Sequence, residues 1–280
     1  MCYTENMKIN LSKLIIRICL VFSLIVILVG GATLFTEGGA PTVPSYGKED
    51  LSALLRKESL TEEDYILLRE QTGLGEEIVD ILWQEENRKE IFLAEQQKFF
   101  DAPEYYCHNL AIVSMAETII NSEEAYQLYD LRPGDVLLTK STHTLFWRHG
   151  HCALYLGDGK ILEATAIGSM TSVIDAENWG SYTTGMHLRL KENSDTLGEE
   201  AAAYAKKELI DDKYRLLAGA FDIGVETDAT QCAYLIWAAY DQCGIDISAR
   251  DFPVTPASIL NSGKFEILRV WGYDPKDLNW

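Results

Sequence analysis

The stretch "RHGHCALYLGDGKILEATA", residues 148–166, sets His149, His151 and Cys152 almost side by side, with Glu163 further along. A thiol, an imidazole and a carboxylate are the parts of a cysteine hydrolase: a nucleophile, a proton carrier and a group that orients the carrier. Strand parity decides which of them can meet. Neighbouring side chains on a strand point to opposite faces. If "HCALYL" is a strand, His151, Ala153 and Tyr155 share one face, and Cys152, Leu154 and Leu156 share the other. Cys152 then reads as a small core residue among leucines, not as a partner for the imidazole of His151.

The face of Glu163 depends on the turn at Gly157-Asp158-Gly159, a strong hairpin signal. A two-residue loop at Asp158-Gly159 pairs Glu163 with Leu154, away from His151. A three-residue loop, a type I turn followed by Gly159 in the left-handed region, sets Glu163 opposite Ala153 and on the face of His151. The second register is favoured, because it groups polar residues together and leaves Ile161 with the leucines. Glu163 can then accept from one ring nitrogen of His151 and leave the other free as a base. The plain alternative for Glu163 is an exposed strand carboxylate.

The nucleophile is then sought elsewhere. Cys232 lies in "DATQCAYLIWAAY", where Asp228 or Thr230 can cap a helix. That puts Cys232 in the first turn, where unpaired N–H groups and the helix dipole favour a thiolate. The same N–H groups, with Gln231 nearby, can hold an oxyanion. By itself the segment describes a buried cysteine in an apolar helix equally well. Cys107, in "YYCHNLAIVSM", is the rival thiol, but it reads as mid-helix within residues 104–120 and has no cap beside it. His149 and His143 are the rival bases, the first beside Gly150 at a strand edge and the second in a loop. Three histidines without an acidic ligand or fixed spacing do not indicate a metal site, and no metal or organic cofactor is expected.

The elements that position these residues follow from turn and periodicity signals. "LRPGDVLLTK" reads as a turn at Pro133-Gly134-Asp135 and a strand, and "MHLRLK" as a further strand. "LGEEAAAYAKKELI" and "ATQCAYLIWAAYDQCG" read as helices, the second stopped at Gly244. Strands clustered between helices, without regular alternation, predict an α+β domain over residues 101–280. Residues 51–100 predict two or three helices forming an arm, opened by a capping box at Thr61 and Asp64 and broken at Gly73 and Gly75. Residues 37–50 read as a linker.

Residues 1–36 stand apart. Lys8, Lys13 and Arg17 precede Ile18–Phe35, a stretch without charge. Residues 14–35 are expected to act as a single-pass anchor in the cytoplasmic membrane, with the rest of the chain extracytoplasmic. A cleaved signal peptide, leaving a secreted protein, is the alternative. The formal net charge is −19, and the first 36 residues are themselves net basic. So acidic a remainder repels phosphate backbones and anionic lipid, and nucleic acid is excluded as a partner. Six cysteines, two of them in or before the anchor, are too few for a disulfide scaffold. Cys232 and Cys243 lie about 16 Å apart along one helix, beyond disulfide reach.

"LRPGDVLL" followed by "GHCALYLGDGKILEATA" resembles the NlpC-type papain-like peptidases, in which a Pro-Gly-Asp strand precedes the strand carrying the catalytic histidine. In ordinary members the cysteine helix comes first. Here "TQCAYLIWAAYDQCGIDI" comes after the strands, as in the circularly permuted YiiX-like branch, which is similar in order to lecithin–retinol acyltransferase-like enzymes. The resemblance covers about residues 131–270. It implies a permuted papain-like core of antiparallel sheet packed on helices, with Cys232 as nucleophile, His151 as base and Glu163 as orienter. Tyr155 matches a motif tyrosine and is expected, with Gln231, to line the substrate site. Ala233 stands where the family often has Ser or Glu. The implied substrate is a cell-wall peptide, or alternatively an N-acyl amide or lipid ester. A third reading is a non-catalytic, anchored binding module on the same fold.

Overall fold

The computed structural model describes residues 11–35, 41–107, 114–144, 147–191, 194–215, 218, 229–248 and 253–278. Its centre is a six-stranded sheet built from β1 (Val136–Thr139), β2 (His151–Gly157), β3 (Lys160–Glu163), β4 (Ser172–Asp175), β5 (Gly185–Leu190) and β6 (Phe265–Trp271). The spatial order is β6-β5-β1-β2-β3-β4, antiparallel throughout. Alternation sorts β2 onto two cores. Cys152, Leu154 and Leu156 pack beneath α5 (Ser194–Glu208) and α6 (Cys232–Asp241), while Ala153 and Tyr155 join Leu137, Ile161 and Trp179 on the opposite face. The α+β class is thus observed, with helices packed on an antiparallel sheet.

Upstream, the predicted arm consists of α2 (Glu62–Thr72), α3 (Glu76–Trp83) and α4 (Arg88–Phe100), preceded by a 3₁₀ turn at Leu54–Arg56. The capping box is present: Thr61 N–H donates to Asp64 Oδ2 at 3.0 Å, and Asp64 N–H donates to Thr61 Oγ1 at 3.4 Å. Gly73 closes α2 in the left-handed region and Gly75 opens α3. Between them the chain pairs with β6, through Val270 N–H to Gly73 O at 2.8 Å and Gly75 N–H to Leu268 O at 2.7 Å. Leu268 enters the apolar cluster of the arm. The arm therefore continues the sheet and covers an edge that would otherwise offer unpaired backbone groups.

Charge reinforces that junction. Arg189 of β5 donates from Nε to Asp135 Oδ1 at 2.9 Å, from Nη2 to Asp135 Oδ2 at 2.7 Å, and from Nη1 to Glu77 of α3 at 2.8 Å. His187 Nε2 donates to the same Asp135 carboxylate at 2.7 Å. Burial works against charge on Asp135, but the hydrogen bonds from His187 and Arg189 prevail and hold its carboxyl below the usual range.

Several expectations change. Residues 104–120 are not a helix where described: Tyr105–Tyr106 pairs with Thr118–Ile119, and Met115–Ala116 pairs with Thr142–Thr144. Aromatic and β-branched residues prefer such extended pairs. Residues 108–113 lie outside the described residues. The described part of the 37–50 segment is not a free linker. Thr42 N–H donates to Gly272 O at 3.0 Å, Tyr46 Oη to Glu70 O at 2.6 Å, and Glu49 N–H to Gln71 Oε1 at 2.8 Å.

Helix α1 (Leu11–Phe35) is present at the expected place, and its described side chains, Leu14 to Ile27, are almost all exposed. Among the described residues no helix is long and apolar enough to cross a membrane.

Gly73 and Gly244 both adopt positive φ, but in different surroundings. A Cβ at Gly73 would lie 2.1 Å from Val270 O, whereas nothing lies within 4 Å of one at Gly244. Gly73→Ala is expected to lower stability by about 2–4 kcal/mol, and Gly244→Ala by about 1 kcal/mol. Urea denaturation of the two variants tests this; equal midpoints would show that the arm is not seated on β6 in this way.

Candidate active site

The hairpin of β2 and β3 settles the parity question. Ala153 pairs with Glu163, Leu154 with Leu162 and Tyr155 with Ile161. Glu163 therefore shares a face with His151, as favoured. The device differs from the expected three-residue loop. Gly157 pairs with Lys160, so the loop has two residues, Asp158 and Gly159, both at positive φ. A bulge between Tyr155 and Gly157 adds the extra residue that shifts the register. The expected place of Ile161 among the leucines is corrected: two residues from Glu163, it shares that face and lies with Tyr155 and Trp179, and Leu162 joins the leucine face instead.

His151 Nε2 and Glu163 Oε2 are 3.0 Å apart, and both residues are buried. Trp179 stacks on the imidazole, with centroids 5.4 Å apart and planes at 28°. The carboxylate and the indole fix the ring, which leaves Nδ1 for the Cys232 sulfur.

Cys232 is the first residue of α6, and the cap is Gln231. Gln231 Oε1 accepts from Ala233 N–H at 3.0 Å, and its Nε2 donates to Val254 O at 2.6 Å. Thr230 turns its hydroxyl to the Gln231 carbonyl at 3.2 Å, and Asp228 lies outside the described residues. Gln231 thus seats Cys232, and its amide is committed to Val254, Ala233 and the Cys232 thiol, the last at 3.5 Å, rather than turned to a substrate. Tyr155 is also reassigned. Its hydroxyl accepts from Gly159 N–H at 2.9 Å and latches the hairpin turn.

At the Cys232 sulfur, the Cys152 thiol is the largest influence that lowers its pKa. Burial opposes, and hydrogen bonding to His151 and the backbone N–H of Cys152 add to the lowering. The result is a thiol held well below its ordinary range. Burial pulls His151 down, but hydrogen bonds to Cys232 and Glu163 outweigh it and push the imidazole up to about 10. The arrangement is a thiolate–imidazolium pair backed by a carboxylate. Burial and the adjoining Cys232 raise the Cys152 thiol well above its usual range, so it stays protonated. The contact between the two sulfurs was not foreseen from the sequence: parity assigns Cys152 its face but does not say what packs against it.

The rivals are occupied. Cys107 Sγ donates to Glu117 Oε1 at 3.2 Å, and burial and that carboxylate push its thiol up to about 11. Glu117 also receives Arg148, at 2.6 and 2.5 Å. His149 Nε2 meets Ser114 Oγ at 3.3 Å and Thr144 Oγ1 at 3.1 Å, while Nδ1 donates to Gly150 O at 2.9 Å. Burial lowers its pKa. His143 is buried in the ladder opposite Met115. Among the described residues no group of three or more His, Cys, Asp or Glu side chains is arranged to hold a metal ion.

The approach to Cys232 is framed by Lys213–Tyr214, paired in parallel with Ala229–Thr230, the segment that leads into α6. Tyr214 N–H donates to Ser169 O at 2.9 Å, which ties in the loop after Glu163. Ile167 and Met170 of that loop are exposed. A cavity of about 720 Å³ at the end of α4, bordered by Asp101, Glu104, Glu123 and Glu124, shares no residue with this site. No protein-family model, curated protein or solved structure matches the chain.

Alkylation by iodoacetamide reads the thiolate directly. Cys232 is expected to react at a rate already level at pH 7, falling only as acid protonates the sulfur. His151→Ala removes the counter-charge but leaves Cys152 in place, so the thiol pKa rises part of the way to its ordinary range and the rate at pH 7 drops about 3–10-fold. An unchanged pH profile in that variant would show that the pair does not form.

Proposed function

We propose that the protein is a thiol-dependent amidase or peptidase in which Cys232, His151 and Glu163 act as a triad. The observation that carries this reading is the meeting of a helix-first-residue cysteine with an imidazole whose other nitrogen is held by a buried carboxylate, at 3.0 Å. The thiolate attacks a carbonyl carbon. The Cys232 N–H at the start of α6 stabilises the oxyanion, the Ala233 N–H being taken by Gln231 Oε1. His151 gives its proton to the leaving amine, and an acyl-enzyme remains on Cys232. His151, now neutral, takes a proton from water, and the resulting hydroxide releases the acid. Glu163 keeps the ring oriented and favours the imidazolium in both steps.

The permuted NlpC-type, YiiX-like resemblance makes cell-wall peptides the first substrate class to test. A second reading, hydrolysis or transfer of an acyl group from a lipid or N-acyl amide, is favoured by one observation. Ile167 and Met170, at 75% and 48% exposure, present apolar side chains on the loop that follows Glu163. The exposed apolar side chains of α1, with Lys8 before the helix and Lys13 and Arg17 in its N-terminal part, support a membrane anchor with the catalytic domain outside the cytoplasm.

The test uses the full-length protein in detergent with two substrate sets, peptide fragments of bacterial cell wall and N-acyl amides with their ester counterparts. Cys232→Ala and His151→Ala are each expected to lower kcat at least 10³-fold, and the double variant little further, because the two side chains act as one unit. Glu163→Gln is expected to retain part of the activity. Hydrolysis at the same rate in wild type and Cys232→Ala would remove the triad, and no hydrolysis of either set by wild type would leave a binding module on this fold.

A further inference from the structure

Cys152 takes no part in the hydrolytic steps, yet it faces the helix that carries Cys232 and is the strongest influence that lowers the pKa of that sulfur. That placement is built by the fold. Helix α6 packs on β2, and both cysteines belong to one apolar cluster. Their exposures differ in an informative way. Cys152 is fully buried, and Cys232 is 9% exposed. A small solute therefore meets Cys232 first, with Cys152 behind it. Both are free thiols. The other described thiols of the domain are turned elsewhere, Cys107 to Glu117 and Cys243 to the Ala239 carbonyl at 3.5 Å.

We propose that Cys152 is a resolving thiol: when a hydroperoxide oxidises Cys232, Cys152 captures it as a reversible Cys152–Cys232 disulfide. The proposal rests on Cys232 being a reactive thiolate, and not on which bond it hydrolyses. In the first step the Cys232 thiolate attacks one oxygen of the peroxide. The O–O bond breaks, Cys232 becomes a sulfenic acid, and the departing oxygen takes the His151 proton to leave as water or an alcohol. In the second step Cys152 attacks the Cys232 sulfur and an S–S bond forms. The S–O bond breaks, and hydroxide leaves with the former Cys152 proton as water. Two electrons pass from the sulfur pair to the peroxide. A dithiol reductant reverses the change by exchange.

Position 152 is well placed for this role. Its thiol is protonated at rest, so it does not compete with Cys232 for the substrate or the oxidant. It is fully buried and points to the face of β2 opposite His151, so it can approach the sulfur without displacing the imidazole. The oxidised site has no nucleophile and is silent, but it is protected from the sulfinic and sulfonic acids that a lone sulfenic acid goes on to form.

The experiment treats purified full-length protein with hydrogen peroxide, then measures iodoacetamide labelling of Cys232 before treatment, after it, and after dithiothreitol, with peptide mapping by mass spectrometry. Wild type is expected to lose labelling, to yield a linked pair of peptides carrying Cys152 and Cys232, and to recover fully on reduction. Cys152→Ser and Cys152→Ala are expected to lose labelling without recovery and to accumulate sulfinic acid at Cys232. The wild-type map stands alone if either variant folds poorly. Rapid labelling before treatment, followed by sulfinic acid with no linked peptide, would overturn the resolving role and leave the nucleophile reading intact. Absence of labelling before treatment would overturn both.

Discussion

Side-chain alternation along β2 constrains everything around it. In two consecutive residues the strand supplies a base to one face and a thiol to the other, and both reach the same sulfur at the end of α6. This works only because α6 meets β2 at the strand's first residues, where an imidazole on the far face can still reach its N-terminus. Glu163 must then arrive on the face of His151. A bare two-residue hairpin would deliver it to the wrong side. One bulged residue, Leu156, corrects the parity, and the Tyr155 hydroxyl fastens the turn beyond it. The site therefore depends on a register offset of one residue, and each nearby hydrogen bond defends that offset.

The rest of the fold holds β2 in place. The Pro133-Gly134-Asp135 turn is tied to α6 by Tyr240, whose hydroxyl donates to Gly134 O at 2.5 Å, and to β5 by His187 and Arg189. Arg189 reaches on to Glu77, so the arm and the strands of the candidate site share one network of charge. Such a network contributes less to stability than its close distances suggest, because desolvation offsets most of the attraction. Its value lies in geometry: once one partner is seated, the others have few alternative positions. The polar cluster at Glu117 plays a similar part on the other side of the site, joining Arg148, Thr183 and Cys107.

Much of this was legible in the sequence because it is local. The capping box at Thr61 and Asp64, the Gly244 stop and the face of Glu163 each follow from spacing over a few residues. Gly244 is a clear instance: its N–H bonds to Asp241 O and the next N–H to Tyr240 O, the pattern that a left-handed glycine closes. What escaped depends on partners distant in the chain or on less common choices. Gln231 is not a favoured cap, and it works here because Val254, from another segment, fixes its amide. Residues 104–120 carry helix-compatible periodicity, but Glu117 is drawn into an ion pair with Arg148 and the flanking residues pair as strands. Strand β6 was not anticipated, although "FEILRVW" is suited to a strand, so the edge on which the arm packs was not anticipated either.

The seating of residues 41–50 has a mechanical consequence. Thr42 is bonded to Gly272 on the body of the domain, and α1 ends at Phe35. The intervening chain can span at most about 25 Å when fully extended. Were α1 embedded in a bilayer, as proposed, this leash would hold the domain close against the membrane surface, whatever path it takes. The proposed triad would then sweep a thin shell above the lipid. Its working range would be set by covalent chain length, and substrates further out would have to come to it.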